Sequence, residues 1–283
     1  MLDVVELLAR CANSPIRFSD VVRELDLTQA TAHAILKTLC DRGWASRDPI
    51  TKTFALGPAL AVVAARTDTA RPLTHAARAA ALRLSGEVNY PCSVVERFGD
   101  SLAVTAFEGE TATQPSGIPG DRIPYAPPFG VALAAWDTDE EQRAWIRRGA
   151  GTNPDRVRRL QQVLQNTRER GFDVDWTTPA VAQAVQAVGT LDSNDMPTPV
   201  RHIRDQLLVE FTTIGFLSDD NPGRRKQPVV TIAAPVFDRR GHAALMLAVH
   251  PLCPLSSRQI KAIGQRLTDH TAALSESRRP SAW

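Results

Sequence analysis

The fold of this chain is decided by residues 19–57, SDVVRELDLTQATAHAILKTLCDRGWASRDPITKTFALG. The pattern predicts two short amphipathic helices joined by a turn at Asp26-Leu27, with Ser19 capping the first and Thr28 the second. Gly43 is expected to end the second helix, and a small basic hairpin follows it. This is the outline of a winged helix-turn-helix, which places its second helix in a DNA major groove.

The second helix has an apolar stripe and an opposite polar stripe. Its apolar residues recur at i, i+3, i+4 and i+7, namely Ala32, Ile35, Leu36 and Leu39. The opposite side and the hairpin supply side chains that can reach base edges and phosphates. The candidate DNA contacts are Thr28, Gln29, Thr31, His33, Lys37, Arg47, Lys52 and Thr53.

Individual roles differ within this set. Gln29 lies in the first turn, where a side chain can read adenine, and Lys37 lies a full turn later, where it suits a phosphate. His33 is equally compatible with a DNA contact and with a brace for the hairpin. A small three-helix scaffold with a solvated polar face is the alternative for the whole segment. The basic excess is modest, so specific binding should require a dimer.

The segment Leu25–Leu36, the pair Gly43-Trp44 and the run Lys52–Gly57 closely resemble the DNA-binding region of the IclR-type transcriptional regulators. Two downstream runs, Gly120–Gly130 and Ile232–Gly241, are similar to the family's ligand domain. The resemblance spans most of the chain in the right order. It implies an α+β protein: an N-terminal winged helix-turn-helix, a helical linker, and a C-terminal GAF-like domain with an antiparallel sheet flanked by helices.

The domain boundaries follow from this organisation. We expect a winged helix-turn-helix at 1–57, a linker helix at 58–71, a GAF-like effector-binding domain at 72–275 and a flexible tail at 276–283. The resemblance also implies homodimers, often paired into tetramers. The partners would be double-stranded DNA with a near-palindromic operator and a small-molecule effector.

Composition excludes several other classes. The four cysteines are scattered, which indicates reduced thiols and a cytoplasmic protein. The first residues read as a helix rather than a secretory signal, and no apolar run approaches the length of a membrane span. The six histidines are widely spaced, so neither a metal site nor another cofactor is expected.

The remaining chain reads as helices and strands in alternation. A helix over 73–85 should close at Gly86, and a short buried helix is expected over 129–136. Thr138 and Asn153 should cap two further helices. Strands are predicted at 93–98, 102–107, 229–237 and 243–250. Loops are predicted at 111–128 and 218–226. Two helices are expected near 179–188 and 197–209, and a final helix begins at Ser257.

Two aspartates, Asp173 and Asp175, lie two residues apart on a possible strand and therefore share a face. Such a pair can serve acid–base chemistry. Solvation of an edge strand is the interpretation that the burial habits of aspartate favour.

The candidate effector-binding residues are Tyr125, Phe129, Thr231, Ala248 and His250. Relatives that bind small oxo-acids carry a cysteine where this chain has Thr231, and two serines where it has Ala248 and His250. Without that hydroxyl cradle, we expect a larger, more apolar or aromatic effector with an acidic or polar group facing His250. Two alternatives remain: Tyr125 and Phe129 only pack in the core, or the pocket is filled by its own side chains.

The sequence therefore predicts a ligand-responsive DNA-binding regulator, of the repressor type, and not an enzyme. The alternative is an enzyme with an accessory helix-turn-helix-like domain. The absence of any assembled catalytic motif in the sequence favours the regulator.

Overall fold

The computed structural model describes residues 1–11, 14–109, 122–151, 153–176 and 226–276, without the side chains of 67–69 and 276. The helices predicted near 179–188 and 197–209, the tail and nearly all of the 218–226 loop lie outside these ranges. The chain divides into two compact units, residues 1–72 and 73–283. Within the described ranges, no helix combines the length and apolarity that crossing a membrane requires.

The first unit is a winged helix-turn-helix. Its strands pair antiparallel in the order β1-β3-β2. Its elements are α1 (Leu2–Arg10), β1 (Ile16–Arg17), α2 (Phe18–Glu24), α3 (Gln29–Asp41), β2 (Ala45–Arg47), β3 (Thr53–Leu56) and α4 (Ala59–Ala70). The predicted helix pair and hairpin are confirmed, whereas the sequence pattern did not indicate β1.

Helix α2 begins one residue earlier than predicted, and Ser19 is not its cap. Arg17 occupies the N-cap position, and its backbone N–H donates to Asp20 Oδ2 at 3.1 Å. Strand β1 causes the shift, because its pairing of Arg17 with Thr53 holds the extended backbone up to the helix. Asp20 therefore supplies the capping carboxylate.

The end of α3 is built as predicted, with Gly43 at a φ of +71°. The N–H groups of Gly43 and Trp44 donate to the carbonyls of Cys40 and Leu39, which is a Schellman motif. The chain then passes Gly43 again at Gly57. A Cβ on Gly57 would lie 2.2 Å from the Gly43 carbonyl oxygen, so this approach requires glycine.

The second unit is an α+β domain around one six-stranded antiparallel sheet of order β6-β5-β4-β10-β9-β7. Its strands are β4 (Cys92–Phe98), β5 (Ser101–Glu108), β6 (Arg122–Pro124), β7 (Asp173–Asp175), β8 (Gln227–Val229), β9 (Thr231–Phe237), β10 (Ala243–Val249) and β11 (Cys253–Leu255). Its helices are α5 (Pro72–Val88), α6 (Val131–Ala134), α7 (Asp139–Ala150), α8 (Pro154–Arg170) and α9 (Ser257–Glu276).

The sheet is covered on both faces because its strands alternate two sets of buried side chains. In β10, Leu245 and Leu247 pack with α5 and α9, whereas Met246 and Ala248 face the side of α6, α7 and α8. Thr138 and Asn153 cap α7 and α8 as predicted. The antiparallel sheet flanked by helices confirms the predicted fold class.

Four local predictions for the second unit are wrong. The strand predicted over 229–237 is divided at Val230 into β8, which pairs with β11, and β9, which lies in the six-stranded sheet. Helix α5 continues through Gly86 to Val88 rather than closing there. The predicted loop at 111–128 contains β6, which pairs with β5, and the helix expected over 129–136 is only Val131–Ala134. Pairing and packing with distant segments set these boundaries, and local composition does not report them.

Candidate functional site

The first candidate site is the outer face of α3. Ala32, Leu36 and Leu39 are buried, as the periodicity predicts. The exposed side carries Gln29, Ala30, Thr31, His33, Ala34 and Lys37. Helix α3 therefore presents a polar stripe with small residues between its longer side chains, and such a surface can approach a groove closely.

The start of α3 is fixed by two threonines. Thr28 Oγ1 accepts the Thr31 backbone N–H at 3.2 Å, and the two hydroxyls lie 2.8 Å apart. Gln29 is the first helical residue and is exposed. The hydroxyls of Thr28 and Thr31 thus stabilise the helix end, while Gln29 extends from its first turn.

Cationic side chains flank this stripe on α3 and on the wing. Lys37 Nζ lies 2.6 Å from Asp41 Oδ2, and this hydrogen bond raises the pKa of Lys37. Arg47 lies over the Phe54 ring, with its guanidinium carbon 5.6 Å from the ring centroid. His33, Lys37 and Arg47 line one hollow of the surface. This arrangement suits the phosphates on either side of a groove.

The wing turn is held rigid by its own aspartate. Asp48 Oδ1 accepts the backbone N–H groups of Ile50 at 2.7 Å and Thr51 at 2.8 Å, and these bonds lower its pKa. Lys52 follows at a φ of +61°, and Thr53 pairs with Arg17 in the sheet. Lys52 is exposed beside this turn.

The second candidate site is a cavity of about 110 Å³ in the second unit. It lies on the sheet face that bears α6, between the strands and residues 128–132. Its floor contains Ala233 and Ala248, which are directly paired on β9 and β10. The space exists because two methyl groups stand where larger side chains would fill it.

One side of this cavity is built around His250. Its Nε2 lies 2.8 Å from Ser93 Oγ, its Nδ1 lies 3.3 Å from Thr231 Oγ1, and its ring stacks on Phe107 at 5.6 Å. Burial lowers the pKa of His250 to about 4. At neutral pH the imidazole is therefore uncharged, with one nitrogen donating and one accepting.

The edge strand β7 brings Asp173 and Asp175 into the lining of the cavity. Asp175 is paired with Thr231, and Asp173 is paired with Ala233. Burial raises the pKa of Asp173 to about 6, against the lowering effect of Arg170, and Asp175 raises it further. Both aspartates lie on an edge strand and are partly exposed, as the sequence interpretation expects, and both also line the cavity.

Four of the five predicted effector residues line this cavity: Phe129, Thr231, Ala248 and His250. Tyr125 does not line it, which agrees with the alternative that it packs in the core. The Tyr125 hydroxyl donates to Asp137 Oδ2 at 2.5 Å, and the Arg97 guanidinium lies 4.4 Å from its ring centroid. Tyr125 therefore anchors the residues before Phe129.

Ser93 is a polar lining residue that the sequence analysis did not predict. It opens a predicted strand and is separated from His250 by 157 residues, so no local pattern connects the two. Asp173 and Asp175 were singled out by their spacing, which gave their shared face but not what that face contacts. In the described part of the chain, no three histidine, cysteine, aspartate or glutamate side chains come together as metal ligands.

Known proteins match this chain in its first unit and along its full length. Residues 1–49 match the IclR helix-turn-helix domain. The chain is 25% identical over 296 aligned residues to the HTH-type transcriptional regulator BhcR of Paracoccus denitrificans, covering 99% of this chain and 86% of that protein. These matches confirm the resemblance to IclR-type regulators that the sequence motifs indicate.

Two solved structures share the fold. An IclR transcriptional regulator from Alicyclobacillus acidocaldarius superposes with a TM-score of 0.66 at 19% identity, covering 97% of this chain and 95% of that one. An IclR homolog from Microbacterium hydrocarbonoxydans, complexed with 4-hydroxybenzoate, has a TM-score of 0.63 at 16% identity, covering 96% and 98%.

Proposed function

We propose that this IclR-type transcriptional regulator represses transcription by binding a near-palindromic operator as a homodimer, and that a small molecule in the His250 cavity changes this binding. The observation that carries the proposal is the division of α3 into a buried apolar stripe and an exposed polar stripe. A helix built in this way can enter a groove while the rest of the unit holds it in place.

Dimerisation is required because one unit offers few contacts. Its exposed cationic groups on α3 and the wing are Lys37, Arg47 and Lys52, and Lys37 is already paired with Asp41. Two copies related by a two-fold axis double the phosphate and base contacts. Helix α4 also exposes apolar surface, with Val62 at 57% and Val63 at 47% exposure, which suits a contact between copies. Such dimers can pair further into tetramers.

The effector should be small and mainly apolar, with a polar group near His250. A volume of about 110 Å³ approaches that of cavities that accept a single benzene ring, about 150 Å³, and is far below the range for drug-sized ligands. The 4-hydroxybenzoate of the Microbacterium homolog is also a single-ring compound. Because burial keeps His250 neutral, it offers the effector's polar group a hydrogen bond rather than a charge.

The first prediction is dimeric binding to two half-sites. We expect purified protein to sediment as a dimer or tetramer, and to protect two half-sites about 34–36 Å apart, or a multiple of this, on DNA upstream of its own gene. In a reporter carrying that DNA, expression should fall when the protein is present. Protection of a single half-site by a monomer at micromolar concentration would contradict the dimer, and increased expression would contradict repression.

The second prediction separates base reading from phosphate contact. Gln29→Ala should reduce discrimination between operator and random DNA by about 1–3 kcal/mol, the value of a good base contact. Lys37→Ala and Lys52→Ala should weaken binding to both DNAs equally and reduce the salt slope by about 1 each. Fluorescence anisotropy across a salt series measures all of these effects.

Lys261→Ala is the matched control, because Lys261 is also exposed but lies on α9 of the second unit. We expect it to bind both DNAs as the parent protein does. If Gln29→Ala leaves operator preference unchanged, α3 does not read bases through its first turn. If Lys261→Ala lowers the salt slope as much as Lys37→Ala, the assigned interface is wrong.

A further inference from the structure

The cavity has a different electrostatic character at each of its two sides. On one side, His250, Ser93 and Thr231 form a chain of neutral hydrogen-bonding groups. The edge strand β7 adds Asp173 and Asp175 to the lining, and Asp175 is paired with Thr231. Ser93, Ala248, Ala233 and Asp173 are successive partners across β4, β10, β9 and β7, so a ligand lying along this row contacts apolar surface in its middle and a polar group at each end.

Asp173 is held in place from behind the cavity. Thr167 Oγ1 on α8 donates to Asp173 Oδ1 at 3.4 Å, and the charge of Arg170 favours its ionised form. Arg170 does not line this cavity, and its Nε donates to the Phe172 carbonyl at 3.0 Å. A carboxylate offers about four acceptor positions, so these contacts leave capacity for a donor that arrives from the cavity.

The lining favours one sign of ligand charge. Among the described residues that line the cavity, the ionisable ones are Asp173, Asp175 and His250, with no lysine or arginine. An organic anion would lie beside the Asp173 carboxyl group at the end of the alanine row. An organic cation would instead offset a carboxylate whose enclosure disfavours its charge.

We infer that the cavity takes a small organic amine, with an apolar ring over Ala233 and Ala248 and an ammonium group donating to Asp173. This inference rests on the proposed function, since it names the chemical class of the effector at the same site. The residues of the His250 side then contact the far edge of the ring or a polar substituent on it. The regulator would thus respond to amines rather than to carboxylic acids.

The experiment compares three matched probes, benzylamine, benzyl alcohol and benzoate, by calorimetry on the full-length protein at pH 7.5. The three share one ring and differ in the charge of one substituent. We expect benzylamine to bind at least about tenfold more tightly than benzyl alcohol, because its hydrogen bond to a carboxylate is charge-assisted, and benzoate to bind most weakly.

Three variants locate the effect. Asp173→Asn should remove the preference for benzylamine and leave benzyl alcohol binding unchanged, and Asp175→Asn should reduce that preference less. Ala248→Leu should abolish binding of every probe by filling the floor of the cavity. Equal binding of benzylamine and benzyl alcohol, tightest binding of benzoate, or an unchanged amine preference in Asp173→Asn would overturn the inference.

The same samples distinguish this inference from the proposed function. If benzoate binds most tightly and shifts operator affinity, the cavity is an effector site and only the assignment of an amine fails. If benzylamine binds as expected but operator affinity does not change, the amine site stands and the regulatory role of the cavity fails. If no probe binds, the amine assignment is overturned, and the operator measurements still report on DNA binding.

Discussion

Gly57→Ala is expected to destabilise the DNA-binding unit by about 2 kcal/mol or more, through a clash that side-chain rotation cannot relieve. The added Cβ would lie 2.2 Å from the Gly43 carbonyl oxygen and 2.8 Å from the Ala45 backbone nitrogen. Because these are backbone atoms, the chain itself must shift. The Gly57 N–H also donates to the Trp44 carbonyl at 2.8 Å, so the shift disturbs the turn that ends α3.

The DNA affinity of Gly57→Ala should fall with its stability. A displaced end of α3 loses at least one groove contact, which corresponds to about 1–3 kcal/mol or roughly 5- to 150-fold. Native-state hydrogen exchange of the backbone amides of residues 1–72 gives the stability of this unit, and anisotropy gives the affinity. Unfolding of the second unit should be unchanged, since Gly57 lies in the first.

Gly86→Ala is the matched control for this substitution. Gly86 lies inside α5 and an added Cβ there meets no atom within 4 Å. Alanine in an unobstructed helix interior should stabilise the second unit by about 0.5–1 kcal/mol. If Gly57→Ala proves as harmless as Gly86→Ala, the close approach of residues 43 and 57 is not a feature of the folded protein.

The two sites differ in how much of them could be predicted from sequence, for a physical reason. The polar stripe of α3 follows from periodicity, the Thr28 cap and the Gly43 stop, all within one segment. Helix periodicity and capping act over a few residues, so the sequence reports them directly. The β1 strand and the resulting start of α2 depend on pairing with Thr53 and Phe54, and they were missed.

The cavity depends on contacts between distant segments. Ser93 and Thr231 meet His250 only because β4, β10 and β9 are neighbours in the sheet. Strand order is not a local property, and resemblance to known regulators pointed to Thr231, Ala248 and His250 without Ser93. Tyr125 was misplaced for the same reason, because Asp137 and Arg97 bind its hydroxyl and ring away from the cavity.

Two ionisable groups of the cavity should change the stability of the second unit with pH in opposite directions. Burial lowers the pKa of His250 from 6.5 to about 4, so the unfolded chain binds a proton that the folded protein does not. This stability is present above pH 6.5 and is lost as the pH falls towards 4. Burial raises the pKa of Asp173 from 3.8 to about 6, so its contribution is present at low pH and is lost as the pH rises through 6.

Each contribution amounts to about 3 kcal/mol, at about 1.4 kcal/mol per pKa unit. Between pH 4 and 6 the two groups change the free energy of unfolding in opposite directions. This pair should therefore give the parent protein little net dependence of stability on pH. His250→Gln removes the contribution of the imidazole. The free energy of unfolding of this variant should therefore fall relative to the parent as the pH rises from 4 to 6.5. Asp173→Asn removes the contribution of the carboxyl group, so the free energy of unfolding of this variant should rise by about 2–3 kcal/mol relative to the parent as the pH rises from 4 to 6.

Urea unfolding of the second unit at pH 4.5, 5.5, 6.5 and 7.5 measures these differences, with Asp100→Asn as a control for losing a carboxylate that is 81% exposed. Asp173→Asn should therefore be more stable than the parent at pH 7.5 while losing the amine preference proposed above, because the same enclosed carboxylate that weakens the fold recognises the ligand. A variant that is less stable at pH 7.5 would show that Asp173 is a structural partner of α8 rather than a group held ready for a cation. Parallel pH slopes for His250→Gln and Asp173→Asn would show that the two groups do not share this enclosed environment.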